Sequence, residues 1–293
     1  MKLCITCHHP YDEIAWKCPA CGDTPVEWKG YPAFAPELAA QNDGFNPKFF
    51  QLMAAVEPRH FWFVGRNRIL MEVMRQYFPH PGKILEIGCG TGFVLSGVRA
   101  TYPLARLSGS DIFTEGLTFT ARRAPDAFLF QMDARRIPFQ DEFDLIGAFD
   151  VLEHVDEDEA VLAQIYQACE TGGGVVLTVP QHRWLWSRID DFAHHKRRYV
   201  RRELIEKVTR AGFRVEYVTS FVALLLPLML VSRLMRKSGT NMDEQMEGAG
   251  LNTGRLVNVV LGVVMWIEWI LIKVGLSLPV GGSLLLVARK PEP

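Results

Sequence analysis

From residue 83 onwards, short apolar runs alternate with segments whose apolar residues recur at helical spacing. The runs are typical of buried strands, predicted at Lys83–Ile87, Arg106–Asp111, Ala127–Met132, Phe143–Phe149, Gly174–Val179, Arg214–Ser220 and Ser283–Ala288. Helical patterns lie between them, as at Glu157–Cys169 and Arg202–Ala211. Strands that alternate with helices indicate βαβ units and a mostly parallel sheet. The pattern predicts an α/β domain that binds ligands beyond the carboxyl ends of its strands.

A long, largely apolar insertion separates the last two predicted strands. It spans residues 221–278 and includes the apolar segments Phe221–Val231 and Leu256–Val274, the polar segment Arg236–Gly254 and the tryptophans Trp266 and Trp269. The first apolar segment is too short to cross a bilayer, and Glu268 interrupts the second. Two interpretations stay open: docking on a membrane surface with tryptophan at headgroup depth, or a helical cap packed on the sheet or on a second protomer.

Four of the six cysteines stand within the first 21 residues. Cys4 and Cys7 form one C-x-x-C pair, and Cys18 and Cys21 form a second. Each pair can present two thiolates to one ion from a tight turn, and two such turns complete the tetrahedral shell of Zn²⁺. The alternatives are two disulfides or a redox motif, and a redox motif normally lies on a βαβ unit. We predict a structural zinc ribbon over residues 1–24.

Proline and glycine are frequent between the ribbon and the predicted sheet, so residues 25–48 are interpreted as a linker and 49–293 as the main domain. The 32 Lys and Arg residues nearly cancel the 33 Asp and Glu residues, which argues against a nucleic-acid partner. The amino terminus has no apolar signal-peptide region. We therefore expect a cytoplasmic protein, in contact with the inner face of the membrane if the insertion docks there.

The first predicted strand runs directly into a loop with glycines at alternate positions, Glu86–Gly92. Such a loop turns sharply and lets a ligand approach the backbone, while a following helix points its N–H groups at that ligand. Asp111 closes the second strand, where it can accept hydrogen bonds from ribose hydroxyls, and Asp133 closes the third, where it can meet an adenine amino group. The spacing G-x-G-x-G differs from the G-x-G-x-x-G of dinucleotide enzymes.

With these motifs and the fourth-strand run Phe143–Val155, the chain resembles the class I S-adenosylmethionine (SAM)-dependent methyltransferases. The resemblance implies a Rossmann-like seven-stranded sheet, helices on both faces and an antiparallel last strand. It implies SAM as methyl donor and S-adenosylhomocysteine as product. It also implies that the aromatic stretch Phe61–Phe63 is a lid, with core packing as the alternative. The cofactor-binding residues implied are Glu86, Gly88, Gly90, Gly92, Asp111, Ile112, Asp133, Ala134 and Asp150.

The acceptor side carries a second resemblance. Asp150, Glu153 and His154 resemble the E-x-x-E-H run of some O-methyltransferases, in which carboxylates and histidines hold Mg²⁺ beside the acceptor hydroxyl. Two other interpretations of His154 stay open: a positioning or proton-accepting residue of the pocket, or a structural residue. His154, Glu153 and His194 are the catalytic candidates, and Mg²⁺ at Asp150, Glu153 and His154 is the candidate catalytic metal.

The run His194–Arg202 is rich in basic residues and resembles the H-x-R-R-Y-x-x-x-E-L segment of a methyltransferase subfamily. It either holds an anionic acceptor or braces its own loop. We expect methyl transfer to an oxygen of a small-molecule or lipid-linked acceptor, quinone-like or of a polyprenyl or glycan type. The alternatives are a carbon methyltransferase acting on a ring and a non-catalytic SAM-fold docking protein. The sequence does not predict the oligomeric state.

Overall fold

The computed structural model describes residues 1–41, 48–235 and 253–292. Its strands are β1 (Lys2–Leu3), β2 (Pro10–Tyr11), β3 (Val26–Trp28), β4 (Tyr31–Ala33), β5 (Lys83–Ile87), β6 (Arg106–Asp111), β7 (Phe128–Gln131), β8 (Phe143–Phe149), β9 (Cys169–Pro180), β10 (Arg214–Phe221) and β11 (Ser283–Arg289). Its helices are α1 (Pro36–Gln41), α2 (Lys48–Val56), α3 (Phe61–Tyr77), α4 (Phe93–Thr101), α5 (Thr114–Arg123), α6 (Asp158–Ala168), α7 (Arg188–Phe192), α8 (Arg201–Arg210), α9 (Leu226–Met235) and α10 (Arg255–Lys273).

Nine of the described strands form one sheet in the order β10-β11-β9-β8-β5-β6-β7-β4-β3. Strand β5 pairs in parallel with both β6 and β8, so that Ile87 lies beside Ser110 on one side and Ala148 on the other. Strand β11 runs antiparallel to its neighbours β9 and β10. Two layers of buried apolar side chains cover the faces of the sheet. The predicted mostly parallel α/β sheet with an antiparallel last strand is confirmed, but it has nine described strands instead of the predicted seven, because β4 and β3 extend it beside β7.

The structure differs from the linker predicted for residues 25–48 over its first part, residues 26–41, and residues 42–47 lie outside the described residues. Strands β3 and β4 form a hairpin whose two-residue turn places Lys29 at φ 50° and Gly30 at φ 86°. Both values suit the tight turns that match the twist of a hairpin. Strand β4 then joins the sheet beside β7, and the Gln131 side chain exchanges two hydrogen bonds with the Ala35 backbone, at 3.0 and 2.7 Å. Pro25 precedes β3, Pro32 lies within β4 and Pro36 starts α1, so these prolines belong to regular elements.

The four N-terminal cysteines converge as free thiols. The Sγ atoms of Cys4 and Cys21 lie 3.6 Å apart, as do those of Cys7 and Cys18, and all four lie within 4.8 Å of one another. A tetrahedral zinc site with Zn–S bonds of 2.3 Å has sulfur atoms about 3.8 Å apart. The geometry therefore fits a zinc ion and does not fit the alternative of two disulfides.

The ribbon packs directly on the domain. The Trp16 ring lies 4.8 Å from Phe34 and 5.5 Å from Phe139, centroid to centroid, with edge-on geometry. The Leu3 amide donates to the Pro138 carbonyl at 3.0 Å. Aromatic contacts of this kind add to the free energy of burial. A folded ribbon is therefore part of the surface that covers β7.

The second apolar segment of the insertion forms helix α10, which packs along α3. A Cβ added at Gly65 in α3 would lie 2.8 Å from Cβ of Met265, so the two backbones approach closely. Glu268, fully buried, accepts the amide N–H groups of Ala223 and Leu224 at 2.8 and 2.9 Å, and that of Val222. The carboxylate that interrupts the apolar pattern thus holds α10 to the chain that leaves β10. The predicted polar segment Arg236–Gly254 lies almost wholly outside the described residues.

We expect one equivalent of zinc per chain, lost in Cys18→Ser, because three thiolates do not complete the shell. Metal analysis of the purified protein measures the content, and the fluorescence difference from a Trp16→Phe variant, which isolates Trp16 among seven tryptophans, reports whether the ribbon still packs on the domain. His9→Ala is the matched control, since His9 neighbours the cluster without belonging to it. A folded, metal-free wild-type protein would contradict the assignment.

Candidate active site

The glycine loop between β5 and α4 forms the first wall of the site. Gly88 and Gly90 have φ values of 69° and 52°, in the left-handed region that favours glycine. A Cβ at Gly88 would lie 2.6 Å from Cγ2 of Val151, whereas one at Gly90 would meet nothing nearer than the Phe50 ring at 4.0 Å. Gly88 is thus required by packing, and Gly90 leaves its backbone open to a ligand.

Asp111 at the end of β6 is held against this loop. Its carboxylate accepts the Gly90 amide at 2.8 Å and the Phe113 amide at 2.9 Å. Burial raises its pKa to about 6, although the backbone N–H groups of Phe113, Gly90 and Ile112 oppose the shift. Each carboxylate oxygen can accept further hydrogen bonds, so Asp111 can serve a ligand while it fixes the loop.

Glu86, on the other side of the loop, is fully enclosed. Burial raises its pKa well above the ordinary value, and the positive charge of Arg66 opposes that shift. Its Oε2 has no hydrogen-bond partner among the described residues. A buried polar atom without a partner in a binding cleft indicates a group that a ligand or water satisfies.

A residue that sequence reasoning did not single out, Glu57, locks the loop to α5. It accepts hydrogen bonds from the Thr91 hydroxyl at 2.7 and 2.6 Å and from Arg123 at 2.5 Å. Arg123 also donates to the Thr91 carbonyl at 3.2 Å. No motif in the sequence points to Glu57, because its role depends on how α2 packs.

Asp133 lies beyond β7, as predicted, but its carboxylate is already engaged. Arg135 donates to it through Nε at 3.0 and 3.1 Å and through its backbone N–H at 2.9 Å. Arg135 also reaches Glu157 at 2.9 Å. Ala134 lies between the two members of this pair. Binding of an adenine amino group by Asp133 stays a prediction. A nucleoside would share the Asp133 carboxylate with Arg135.

Asp150 directly follows β8. Its backbone is left-handed, with φ 57°, which is strained for a residue that is not glycine. Its side chain accepts Arg66 Nη2 at 2.5 Å and the Thr178 hydroxyl at 3.2 Å. The Arg66 guanidinium is nearly buried and stacks on the Trp62 ring, 5.2 Å from its centroid. The aromatic stretch that opens α3 is therefore tied to the end of β8 through Arg66.

Two of the three catalytic candidates, Glu153 and His154, lie shortly after Asp150 and meet His195. Glu153, His154 and His195 place ligand-type atoms within 4.8 Å of one another, and the His154 and His195 rings meet edge-on with centroids 4.8 Å apart. Both carboxylate oxygens of Glu153 are buried without a partner in the described chain. Sequence reasoning placed Asp150 and His194 here. The structure instead pairs Asp150 with Arg66, and His195 joins the cluster while its neighbour His194 is exposed.

The surroundings determine the pKa of His154 and the hydrogen bonding of His195. Although part of His154 is exposed, desolvation and the nearby His195 and His194 lower its pKa to about 4. The Nδ1 atom of His195 lies 2.9 Å from Asp190, which is itself fully buried. Burial opposes ionisation of Asp190, but hydrogen bonds from His195 and Arg198 outweigh it and lower its pKa. Where His195 donates from Nδ1 to this carboxylate, its Nε2 is the ring nitrogen that can bind a metal.

The basic run serves mainly to brace the loop. Arg198 donates to Asp190 at 2.7 and 3.1 Å, and the buried Tyr199 hydroxyl donates to Asp158 at 2.6 Å. Three residues of the run also line an open cavity of about 470 Å³, together with residues that precede and follow the run. The lining residues are Arg183, Trp186, Lys196, Arg197, Arg198 and Glu203. The loop-bracing interpretation is thus confirmed for Arg198 and Tyr199.

Two chemical functions therefore meet at one edge of the sheet. The glycine loop, Glu86 and Asp111 can hold a polar ligand against the ends of β5 and β6. Glu153, His154 and His195 offer proton-accepting or metal-binding atoms at the end of β8. Parallel pairing of β5 with both β6 and β8 brings the two groups together.

Comparison with known proteins identifies this arrangement. The sequence profile of the methyltransferase domain matches residues 59–218, more than half of the chain. The ubiquinone/menaquinone biosynthesis C-methyltransferase UbiE of Desulfotalea psychrophila is 31% identical over 101 residues, 33% of this chain and 41% of that protein. The malonyl-[acyl-carrier protein] O-methyltransferase of Halorhodospira halophila is 23% identical over 154 residues, 49% and 52% of the two chains.

A solved structure extends the likeness to the fold. Haemonchus contortus phosphoethanolamine N-methyltransferase 2, in complex with S-adenosyl-L-methionine, superposes with a TM-score of 0.57 and 16% identity. The match covers 87% of this chain and 60% of that one. The chain spans about half the length of the two curated relatives, which methylate different kinds of atom. The chain belongs to the methyltransferase domain family.

Proposed function

We propose that this protein transfers the methyl group of SAM to an oxygen atom of a small-molecule or lipid-linked acceptor. The observation that carries the proposal is the cluster of buried Glu153 with His154 and His195, beside a glycine loop that leaves its backbone open. An acceptor hydroxyl must lose a proton as it is methylated, which requires a base or a metal at the reacting atom.

The residues around the glycine loop fit SAM. The backbone of Gly90 is unobstructed, Glu86 has an orphaned oxygen, and Asp111 keeps lone pairs for ribose hydroxyls. When bound, SAM supplies a methyl group on a sulfonium, an electrophile that needs alignment with its acceptor. The chain's part is to fix the loop through Glu57 and Asp111, to bind the donor's polar ends and to exclude water.

The cluster also fits a divalent cation, with ligands that differ from those predicted. Two imidazoles and one carboxylate suit a transition-metal ion better than Mg²⁺, and Asp190 orients His195 as a supporting carboxylate. A bound cation would lower the pKa of the acceptor hydroxyl. Because His154 stays neutral near pH 7, its unprotonated nitrogen can take part in binding or accept the hydroxyl proton.

The open cavity that Lys196, Arg197 and Arg198 help to line favours an acceptor with an acidic group. Each of the four cationic side chains that line it is paired with a carboxylate, but those of Arg183 and Lys196 remain the most exposed, at 72% and 48%. Arginine and lysine at the mouth of a site attract carboxylates and phosphates. The relatives methylate carbon and oxygen atoms, so their likeness alone does not select the acceptor atom.

Asp111→Ala should weaken binding of S-adenosylhomocysteine by about 1–3 kcal/mol, because it removes the ribose acceptor and frees the Gly90 amide. Titration calorimetry measures the change. Asp126→Ala is the matched control, since it removes an aspartate from an exposed ion pair with Arg99. Equal affinity in both variants and the wild type would contradict the assignment of Asp111.

Mn²⁺ should raise the melting temperature of the wild-type protein, because it satisfies the orphaned Glu153 carboxylate. Glu153→Gln and His195→Ala should abolish this shift, whereas the neighbouring His194→Ala should keep it. Thermal unfolding with MnCl₂, and with MgCl₂ for comparison, provides the measurement. An unchanged wild-type melting temperature, or an equal loss of the shift in His194→Ala, would argue against the site.

Methyl-labelled SAM and a bacterial lipid extract test the transfer itself. The labelled product should extract into organic solvent, and mass spectrometry should place the methyl group on oxygen. Glu153→Gln should reduce the initial rate about 10²-fold or more, the size expected when a proton-accepting or metal-binding group is lost. A product methylated on carbon would favour the ring-acceptor alternative instead.

A further inference from the structure

Helix α10 presents an outer face that is entirely apolar. Of its 19 residues, the exposed ones between its basic ends are all apolar, with 42–77% of each side chain accessible. These residues, here called the outer face, are Leu256, Val257, Val259, Val260, Val263, Trp266 and Ile267. By length and composition α10 could cross a membrane, yet Met265, Glu268 and Ile272 are packed into the domain.

The polar side chains within α10 point the opposite way. Asn258 donates to the Arg59 carbonyl at 2.8 Å and accepts the Phe61 amide at 2.8 Å. Glu268 accepts the backbone amides before α9, as described above. A helix on a water-exposed surface shows the reverse arrangement, with polar residues outside and apolar residues inside. The outer face is therefore suited to an apolar medium.

The width of this face indicates what covers it. At about 100° per residue, its seven positions spread over roughly half of the helix circumference. A partner helix covers a narrower seam, usually flanked by charged residues that set its register. Here the described flank is apolar as well, since Leu228 and Val231 of the neighbouring α9 are about half exposed. A broad face without charge matches acyl chains better than it matches a second protein.

Positive charge stands at both ends of the helix. Arg255 begins α10 and Lys273 ends it, and both are exposed. The Lys273 ammonium and the Arg68 guanidinium lie 4.9 and 5.6 Å from the Trp269 ring centroid. The only carboxylate in α10, Glu268, is buried. Basic residues beside an apolar face complement the anionic headgroups of a bilayer.

We propose that α10 lies in the plane of an anionic lipid bilayer, with its outer face inserted at the boundary between headgroups and acyl chains. Asn258 of this helix accepts the Phe61 amide at the start of α3. Arg66, five residues further along α3, binds Asp150 in the site. Helix α10, the proposed membrane anchor, and the site are therefore joined by the first turns of α3. Resting on the proposed function, the acceptor is then an amphipathic molecule held in the same bilayer.

Flotation with vesicles tests the anchor without using activity. The probe is vesicles of phosphatidylcholine and phosphatidylglycerol, with pure phosphatidylcholine as the neutral comparison. The wild-type protein should float, more strongly on the anionic vesicles. Val260→Asp/Val263→Asp should reduce the floating fraction about tenfold or more, because two exposed valines lose their burial in lipid. Ile14→Asp/Leu104→Asp is the matched control, with the same change at two fully exposed apolar positions, and should float like the wild type.

Circular dichroism and S-adenosylhomocysteine binding verify that each variant is folded, and Leu256→Ser/Val259→Ser serves as a milder second pair. The proposal is overturned if the wild-type protein stays in solution with both vesicles. It is equally overturned if sedimentation shows a dimer that the Val260→Asp/Val263→Asp pair converts to a monomer. Flotation without any methyl transfer would count against the proposed function alone.

Discussion

The reversal of strand order at β5 is the constraint on which the site depends. Strands β6 and β7 lie on one side of β5 in the sheet, whereas β8 and β9, which follow them in the chain, lie on the other side. Loops that leave the carboxyl ends of β5 and β8 therefore diverge, and a crevice opens between them. The glycine loop enters this crevice from one strand and the strained Asp150 from the other. A change in the order of these strands would separate donor and acceptor groups that are remote in sequence.

Arg66 connects this crevice to the rest of the molecule. Its guanidinium binds Asp150, opposes the upward pKa shift that burial gives Glu86 and Glu153, and stacks on Trp62. A nearly buried cation among carboxylates is costly to leave unpaired, so the position of α3 is fixed by the site. Helix α10 packs on α3, which links the apolar outer face to the chemistry. The site, the aromatic stretch Phe61–Phe63 and helix α10 thus form one connected unit.

The sequence predicts the features that depend on local pattern. The main strands of the sheet, the glycine loop and Asp111 follow from periodicity and strand ends, and the cysteine cluster follows from spacing. Features that depend on tertiary packing were not predictable. The segment that forms the β3–β4 hairpin resembles a linker in composition, because it is rich in proline and glycine. His195 replaces His194 in the cluster, since backbone geometry decides which neighbour turns inward. Glu268 and Glu57 act through amides and hydroxyls that only the folded chain brings near.

The most direct measurement of the central claim is a crystal structure with S-adenosylhomocysteine and Mn²⁺, using anomalous scattering to locate the metal. The expected result places the nucleoside against the glycine loop and Asp111, the sulfur facing the crevice, and manganese on Glu153, His154 and His195. Manganese on other residues, or a sulfur directed away from this cluster, would contradict the claim that these groups act on the same acceptor oxygen.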